Sequence, residues 1–443
     1  MAFATLACGH DASPTAADAG TRDAVVDAQA GYRAEVLDDS QRMTLGERTF
    51  RVVLARVTRP DGGHSYVEWI PSDKPGPRPA VVMTMPYATT PWSGEPLDAR
   101  WASYLPEPDG LYLDRDGPGD TAGAKIYVEH LDALATAGNA TPQLINDFGA
   151  LLIFGRFYAG GSVREYIADM AAGMWFAAEQ PEIDRARIAI WGGSWGGFEA
   201  LFAARHADPR ARPRVVAAMY PPSDFADWVE HATTRTGAAQ IFLAPYLRRI
   251  YAATGGPPDA HAAAYDGLRV GDLCDGLPET LALHDEHDNL VPVRETQALV
   301  ATCHADALYW PRSGPIDPSD GTHGPIVAGD APQAVATYAL TFAHLRIATP
   351  EQPYLIEFYA ASSLVAHLTA VRAAQQAGRD ASGAVPRLRE LCDPRIYLVA
   401  HCLPNDCPTE LGAAVVARTI NQVWGTSFTA ATIVDQLATG LPP

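Results

Sequence analysis

The sequence predicts an α/β protein built on one mostly parallel sheet with helices on both faces. Three observations carry that expectation. Short apolar, β-branched runs recur along the chain, amphipathic segments of helical period separate the later ones, and one serine sits between glycines where a run gives way to a helix, in RIAIWGGSWGGFEAL (187–201). Strands covered on both faces read as nearly unbroken apolar runs, and parallel neighbours need a crossover long enough to hold a helix.

Taken in order, the strand signals begin at residue 49. TFRVVLARV, HSYVEWI and AVVMTM are separated by RPDGGH and PSDKPGPRP, whose glycines, prolines and aspartates favour turns. ALLIFG (150–155), RIAIWG (187–192), RVVAAMY (214–220), TLALH (280–284) and ALYWP (307–311) follow, giving an eight-stranded sheet. In SVREYIADMAAGMWFAAEQ, Val163, Ile167, Met170, Met174 and Ala177 recur at helical spacing, and Ser162 with Glu165 forms a capping box. Two excursions, about 88–147 and 222–278, interrupt the alternation. Segments inserted after the carboxyl ends of parallel strands lie over the ligand crevice, so they predict a lid, the second one helical. In the first, Asp114, Asp116 and Asp120 lack the spacing and closing glutamate of a calcium loop and read as a solvated turn.

The catalytic unit is expected over 45–349. Before it, residues 1–44 are rich in Ala, Asp, Thr and Gly and read as a flexible leader. Within the leader, Leu6-Ala7-Cys8-Gly9 resembles the cleavage region of bacterial lipoproteins, where the cysteine carries the lipid. Two readings stand: an extracytoplasmic protein, secreted or tethered to a membrane through Cys8, or an accidental match, since no charged and apolar signal segment precedes it. After 350, Leu355, Phe358, Ala361, Val365, Leu368 and Val371, then Leu411, Val415 and Val423, predict a helical extension (350–443) packed on the core. Of six cysteines, Cys274 and Cys303 each precede a predicted strand and could bridge at one end of the sheet, whereas Cys392, Cys402 and Cys407 cluster near a turn and suggest a second, local disulfide.

Composition narrows the function. The 443 residues are 47% hydrophobic and 19% charged, ordinary for a globular chain, and the net charge of -19 argues against nucleic acid as partner, which demands a basic footprint. No histidine and cysteine set has metal-ligand spacing, and no cofactor is expected.

Gly192-Gly193-Ser194-Trp195-Gly196 fits G-x-S-x-G between a strand and a helix. A phosphate loop would need G-x-G-x-x-G or a G-K-[ST] ending, and GGSWGG has neither. A serine at so sharp a turn is raised above the sheet beside the amino end of a helix, and small neighbours remove the collisions the turn creates. A serine nucleophile needs a histidine to take its proton and a carboxylate to orient that histidine. Downstream, TLALH leads into DEHDNLVPVRE, which puts Asp288 beyond a strand end as the acid, with Asp285 as the alternative. ALYWP leads into a glycine- and proline-rich loop with one histidine, His323, as the base; His284 and His287 lie too close to the acid's own strand and His304 at the wrong end of the next. The backbone N–H of Trp195 is one oxyanion donor, and Tyr87, in MTMPYATTP, is placed either to offer a phenolic hydroxyl as the second or merely to line the pocket.

These residues resemble α/β-hydrolases, and within them the prolyl oligopeptidase family and the X-prolyl dipeptidyl peptidase and cocaine esterase family. WGGSWGGFEAL, WFAAEQPEIDRARIAIWG, HDEHDNLVPVRE and MPYATT carry the likeness across about 47–349. The resemblance implies a serine hydrolase acting on small acyl esters or short peptides, with the tyrosine of MPYATT completing the oxyanion hole. Departures are Trp195 where a tyrosine is usual, Asp285 where a glycine is usual, Phe154-Gly155-Arg156 without the aspartate often found before that arginine, no amino-terminal propeller and an extension too short for a jelly roll. Dipeptidyl specificity therefore does not carry over. The contrasting expectation is a surface-tethered binding protein that keeps the fold without the chemistry.

Overall fold

The computed structural model describes residues 31–45, 47–85, 140–154, 162–323, 331–358, 360–400 and 409–443. Among them, nine strands form the main sheet: β1 (Arg33–Leu45), β2 (Arg48–Thr58), β3 (His64–Ile70), β4 (Arg78–Met85), β5 (Gly149–Phe154), β6 (Ile183–Gly193), β7 (Val215–Met219), β8 (Glu279–Asp285) and β9 (Asp306–Trp310). Their order is β1-β2-β3-β5-β4-β6-β7-β8-β9. The first three form an antiparallel meander joined antiparallel to β5, and from β5 to β9 every pairing is parallel. After β4 the chain steps outward to β5 and then crosses back to β6 on the other side. Ligands of open α/β sheets bind where the order reverses, at the carboxyl ends of the strands. Ser194 directly follows β6 at that place.

Alternate residues of each central strand feed two separate cores. On one face Leu152, Ala189, Ala217 and Leu283 meet α6 (Ala331–Ile347) and the carboxyl-terminal extension. On the other, Ile153, Ile190, Ala218 and Ala282 meet α1 (Val163–Glu179), α2 (Trp195–His206) and α5 (Arg294–Cys303). Residues that look continuous in the sequence thus divide by period two onto opposite faces. The start of α1 has the capping box, with Ser162 Oγ accepting from Glu165 N at 3.1 Å and Glu165 Oε2 from Ser162 N at 2.7 Å. Between β7 and β8 lie α3 (Phe225–Thr233) and α4 (Gly237–Thr254), so the second excursion is helical. Most of the first excursion, including Asp114, Asp116 and Asp120, lies outside the described residues, as do Cys8, Tyr87, Gly155 and Arg156.

Two boundaries differ from expectation. The leader expected over 1–44 ends inside a strand: Arg33–Leu45 pairs along β2 from Arg33↔Thr58 to Leu45↔Arg48. It is an edge strand with mostly exposed side chains, ordered by its backbone ladder rather than by burial, and so has no hydrophobic signature; the sheet has nine strands, not eight. The extension is not wholly helical either. Its elements are β10 (Tyr354–Phe358), α7 (Ala360–Gln376), α8 (Ala384–Leu391), β11 (Ile396–Ala400), β12 (Thr409–Leu411), α9 (Gly412–Trp424) and α10 (Ala430–Thr439), with β10, β11 and β12 forming a second sheet. Leu355 and Phe358 belong to β10; a run of five with four apolar residues reads equally well as a turn of helix until a neighbouring strand pairs with it. No helix among the described residues is long and apolar enough to cross a membrane.

Cys274 and Cys303, at the same end of parallel β8 and β9, form a disulfide with Cα atoms 4.6 Å apart. Cys392 is a buried free thiol, while Cys402 and Cys407 lie outside the described residues. Replacing Cys274 and Cys303 together by serine is expected to lower unfolding stability by about 3–4 kcal/mol, the loop-closure value for 29 residues, read from urea midpoints. The Cys392 thiol, which burial pushes up to about 12, should resist alkylation until the chain unfolds, as peptide masses would show.

Candidate active site

Ser194 has φ 56° and ψ −126°, a conformation that side chains with a Cβ rarely adopt and that costs about 1–3 kcal/mol. Its neighbours make the turn feasible. A Cβ at Gly192 would overlap the Gly196 carbonyl and the Thr84 hydroxyl, which donates to that carbonyl at 2.6 Å; one at Gly193 would crowd Met219 and Tyr220. Ser194 N donates to Met219 O at 2.8 Å, tying the turn to β7, and Ser194 O receives Gly197 N and Phe198 N at 2.8 and 3.1 Å as α2 begins. Trp195 is the first residue of α2, and N–H groups of a first turn point out of the helix's amino end. Its indole is buried among Tyr166, Phe198, Phe225, Trp228 and Tyr246, joining the serine's helix to α3 and α4.

His323 Nε2 lies 2.6 Å from Ser194 Oγ, and His323 Nδ1 lies 3.1 and 3.2 Å from Asp288 Oδ2 and Oδ1. Both partners of the serine are buried, His323 at 5% exposure and Asp288 at 1%. With the carboxylate accepting from Nδ1–H, Nε2 is the atom left to accept the serine proton. Asp288 Oδ1 also accepts the N–H groups of Leu290 and Val291 at 3.0 and 2.8 Å, which offsets the loss of water around the charge. Tyr220 meets the imidazole edge-on with centroids 5.0 Å apart.

The other candidates have separate duties. Asp285 accepts from Arg312 Nε and Nη2, both at 2.9 Å. His284 is sealed between Thr296 Oγ1 and Val291 O at 2.8 Å each, and burial lowers its pKa. His287 donates its N–H to Asp285 Oδ1, and His304 caps α5 with φ 57°. Tyr87, the expected second oxyanion donor, follows β4 beyond its described end. Among the described residues no three His, Cys, Asp or Glu side chains gather to hold a metal.

Asn289 is a residue the sequence reading passed over. Its Nδ2 donates to Asp317 O and Asp320 O at 2.9 and 2.7 Å, and its N–H to Thr322 O at 2.8 Å, so it fastens the loop of the acid to the loop that delivers His323. Its Oδ1 accepts from Arg235 Nη1 at 2.6 Å, and its carbonyl meets His231 Nε2 at 2.9 Å. Trp228 Nε1 donates to Leu290 O at 2.9 Å. Helix α3 and the turn after it are therefore bonded directly to the acid loop. The available signal was an amide side chain immediately after the predicted acid. Beside Ser194 and His323, Trp228, Phe242, Leu243, Tyr246, Leu290 and Val291 line an apolar cleft. A carbonyl compound entering it would meet a hydroxyl already aligned with a base, in a site largely stripped of water.

Behind the serine, Glu199 on α2 is fully buried, and desolvation raises its pKa well above the ordinary 4.5 while a hydrogen bond with Tyr166 pulls the other way.

Residues 163–307 match the model of the prolyl oligopeptidase family. That stretch holds Ser194 and Asp288 and ends before His323. No curated protein matches the sequence. Among solved structures, the chain is similar to acetyl xylan esterase 1 from Thermoanaerobacterium sp. JW/SL YS485, at 16% identity over 66% of this chain and 84% of that one, with a TM-score of 0.41. It is also similar to the carboxylesterase EstE1 cloned from a metagenomic library, at 14% identity over 74% of this chain and 92% of that one, TM-score 0.40. A puromycin-hydrolyzing peptidase of Mycobacterium tuberculosis is 17% identical over 67% of this chain and 39% of its own, TM-score 0.41. The parallel sheet with helices on both faces and the sharp turn after β6 are the architecture of the α/β-hydrolase fold.

Asn289→Ala is expected to lower kcat about tenfold or more and to cost about 1–3 kcal/mol of stability, measured by ester turnover and urea unfolding. For Glu199, a folded-state pKa above the unfolded value means that the native state binds the proton more tightly. Its contribution is present in acid and is lost as pH rises from about 4.5 toward the folded value. Glu199→Gln should therefore flatten the fall in melting temperature as pH rises above the ordinary carboxyl value of 4.5.

Proposed function

We propose that the chain is a serine hydrolase that cleaves ester or amide bonds through an acyl-enzyme on Ser194. One observation carries the reading: the aligned contacts from Ser194 Oγ to His323 Nε2 at 2.6 Å and from His323 Nδ1 to Asp288 Oδ2 at 3.1 Å. As Ser194 Oγ bonds to the substrate's carbonyl carbon, its proton passes to Nε2. Asp288 stabilises the imidazolium, which then gives that proton to the leaving alcohol or amine. Water, activated by the same imidazole, attacks the acyl carbon and regenerates the serine. Charge on the carbonyl oxygen is met by the Trp195 N–H, with the hydroxyl of Tyr87 as second donor. Support for Tyr87 is the parallel pairing of β4 with β6, Met83 opposite Trp191, which leads both strands to the same end of the sheet.

Small acyl esters or short peptides are the substrates of this reading. The aromatic and aliphatic lining of the cleft favours an apolar acyl group or side chain next to the scissile bond. An extracytoplasmic location, secreted or lipid-anchored through Cys8, is the matching proposal, supported by the Cys274–Cys303 disulfide.

Ser194→Ala should retain the wild-type melting curve, lose turnover of p-nitrophenyl esters and aminoacyl amides by about 1,000-fold or more, and fail to take up a fluorophosphonate probe that labels the wild type. Equal turnover by the two proteins would overturn the proposal.

A further inference from the structure

The carboxyl-terminal extension reaches the roots of the triad's supporting loops through Arg379. After α7 the chain turns at Gly378 (φ 71°), with Arg379 N donating to Ala374 O at 2.9 Å, and this presents the Arg379 side chain to the far ends of β8 and β9. One Arg379 nitrogen donates to Glu286 Oε2 and the other to the carbonyl of Arg312. Glu286 follows β8 at the root of the acid loop, and Arg312 lies just past β9 at the root of the loop carrying His323. The same two residues also bind each other, Arg312 N donating to Glu286 Oε2 at 2.9 Å. The Arg312 guanidinium in turn grips Asp285 Oδ2, and Asp285 O accepts the N–H of Asp288 at 3.1 Å. A continuous set of bonds therefore runs from the extension to the residue that orients the imidazole.

Among the described residues, other ion pairs bracing these two strands lie at their starts: Arg387 with Asp306 at 3.1 Å, and Glu390 with Arg346, which also holds Glu279. They can brace the sheet, but they lie at the end away from the chemistry.

We propose that the extension is a positioning element for the triad and that Arg379 is the residue through which it acts, by fixing the roots of the acid and base loops relative to each other. The proposal rests on the serine hydrolase reading above. Its physical basis is that the two loops leave neighbouring strands separately, so the His323 to Asp288 distance depends on how their roots are tied. Losing alignment by about 1 Å can cost on the order of a hundredfold in rate without weakening substrate binding.

The test uses full-length wild type, Arg379→Ala, Arg379→Lys and Glu286→Gln, with Arg418→Ala as a control that breaks only an ion pair to Glu410 within the extension, on one p-nitrophenyl ester. Arg379→Ala is expected to lower kcat about tenfold or more with KM changed by less than about twofold, and Arg379→Lys to regain part of it. Arg418→Ala should match wild type. Should Arg379→Ala fail to fold, Glu286→Gln decides, with the same fall in kcat expected. A wild-type kcat in the deciding variant, or a loss expressed only in KM, overturns the role of the extension. Ser194→Ala in parallel separates the two claims: if it is silent while Arg379→Ala is fully active, only the extension's role fails; if it turns over like wild type, the hydrolase reading fails.

Discussion

The left-handed backbone at Ser194 is the constraint that the rest of the molecule supports. A φ of 56° at a residue with a Cβ persists only where its surroundings over-determine it. Here β7 receives the serine's N–H, α2 takes up its carbonyl, and Thr84 reaches across from β4 to the Gly196 carbonyl. The apolar burial of two cores, one on each face of the sheet, supplies the stability from which that local cost is drawn. The result is a hydroxyl projecting from the sheet beside the start of a helix.

Around this fixed point the other two side chains are brought in by loops, and loops need tying. Asn289 ties the acid loop to the base loop, Trp228 and His231 tie the lid helix to the acid loop, and Asp288 is clasped by two backbone N–H groups. The buried polar groups that do this have partners at good distances, which makes such a network rigid rather than costly. Away from the site the same economy is looser. His367, buried between Trp310 and Tyr338 on the extension side, has its pKa lowered to about 3 by desolvation and behaves as a neutral aromatic spacer.

How much of this was legible in the sequence depends on where the information resides. Ser194 announces itself because the steric demand of its turn is met by residues within three positions of it. Asp288 and His323 could be found because each follows a strand whose apolar run is unmistakable. The capping box at Ser162 was legible in the same local way, whereas Cys274 and Cys303 showed only as thiols able to bridge if their strands were neighbours, and the sheet made them so. Strand β1 was missed because an edge strand is ordered by backbone bonds, which leave no trace in side-chain pattern. YLIEF reads as helix because four apolar residues in a run of five carry no decisive period.

The sequence by itself determined most of the elements, the elbow and which three side chains meet beside it, because each follows from short-range sterics or from periodicity within one segment. Tertiary structure alone decided that Asp285 belongs to Arg312, that Asn289 and Arg379 hold the loops, and that Trp195 is wedged beneath the lid. Those choices set partners as much as 93 residues apart against one another, and only the registered sheet brings such partners within a hydrogen bond's length.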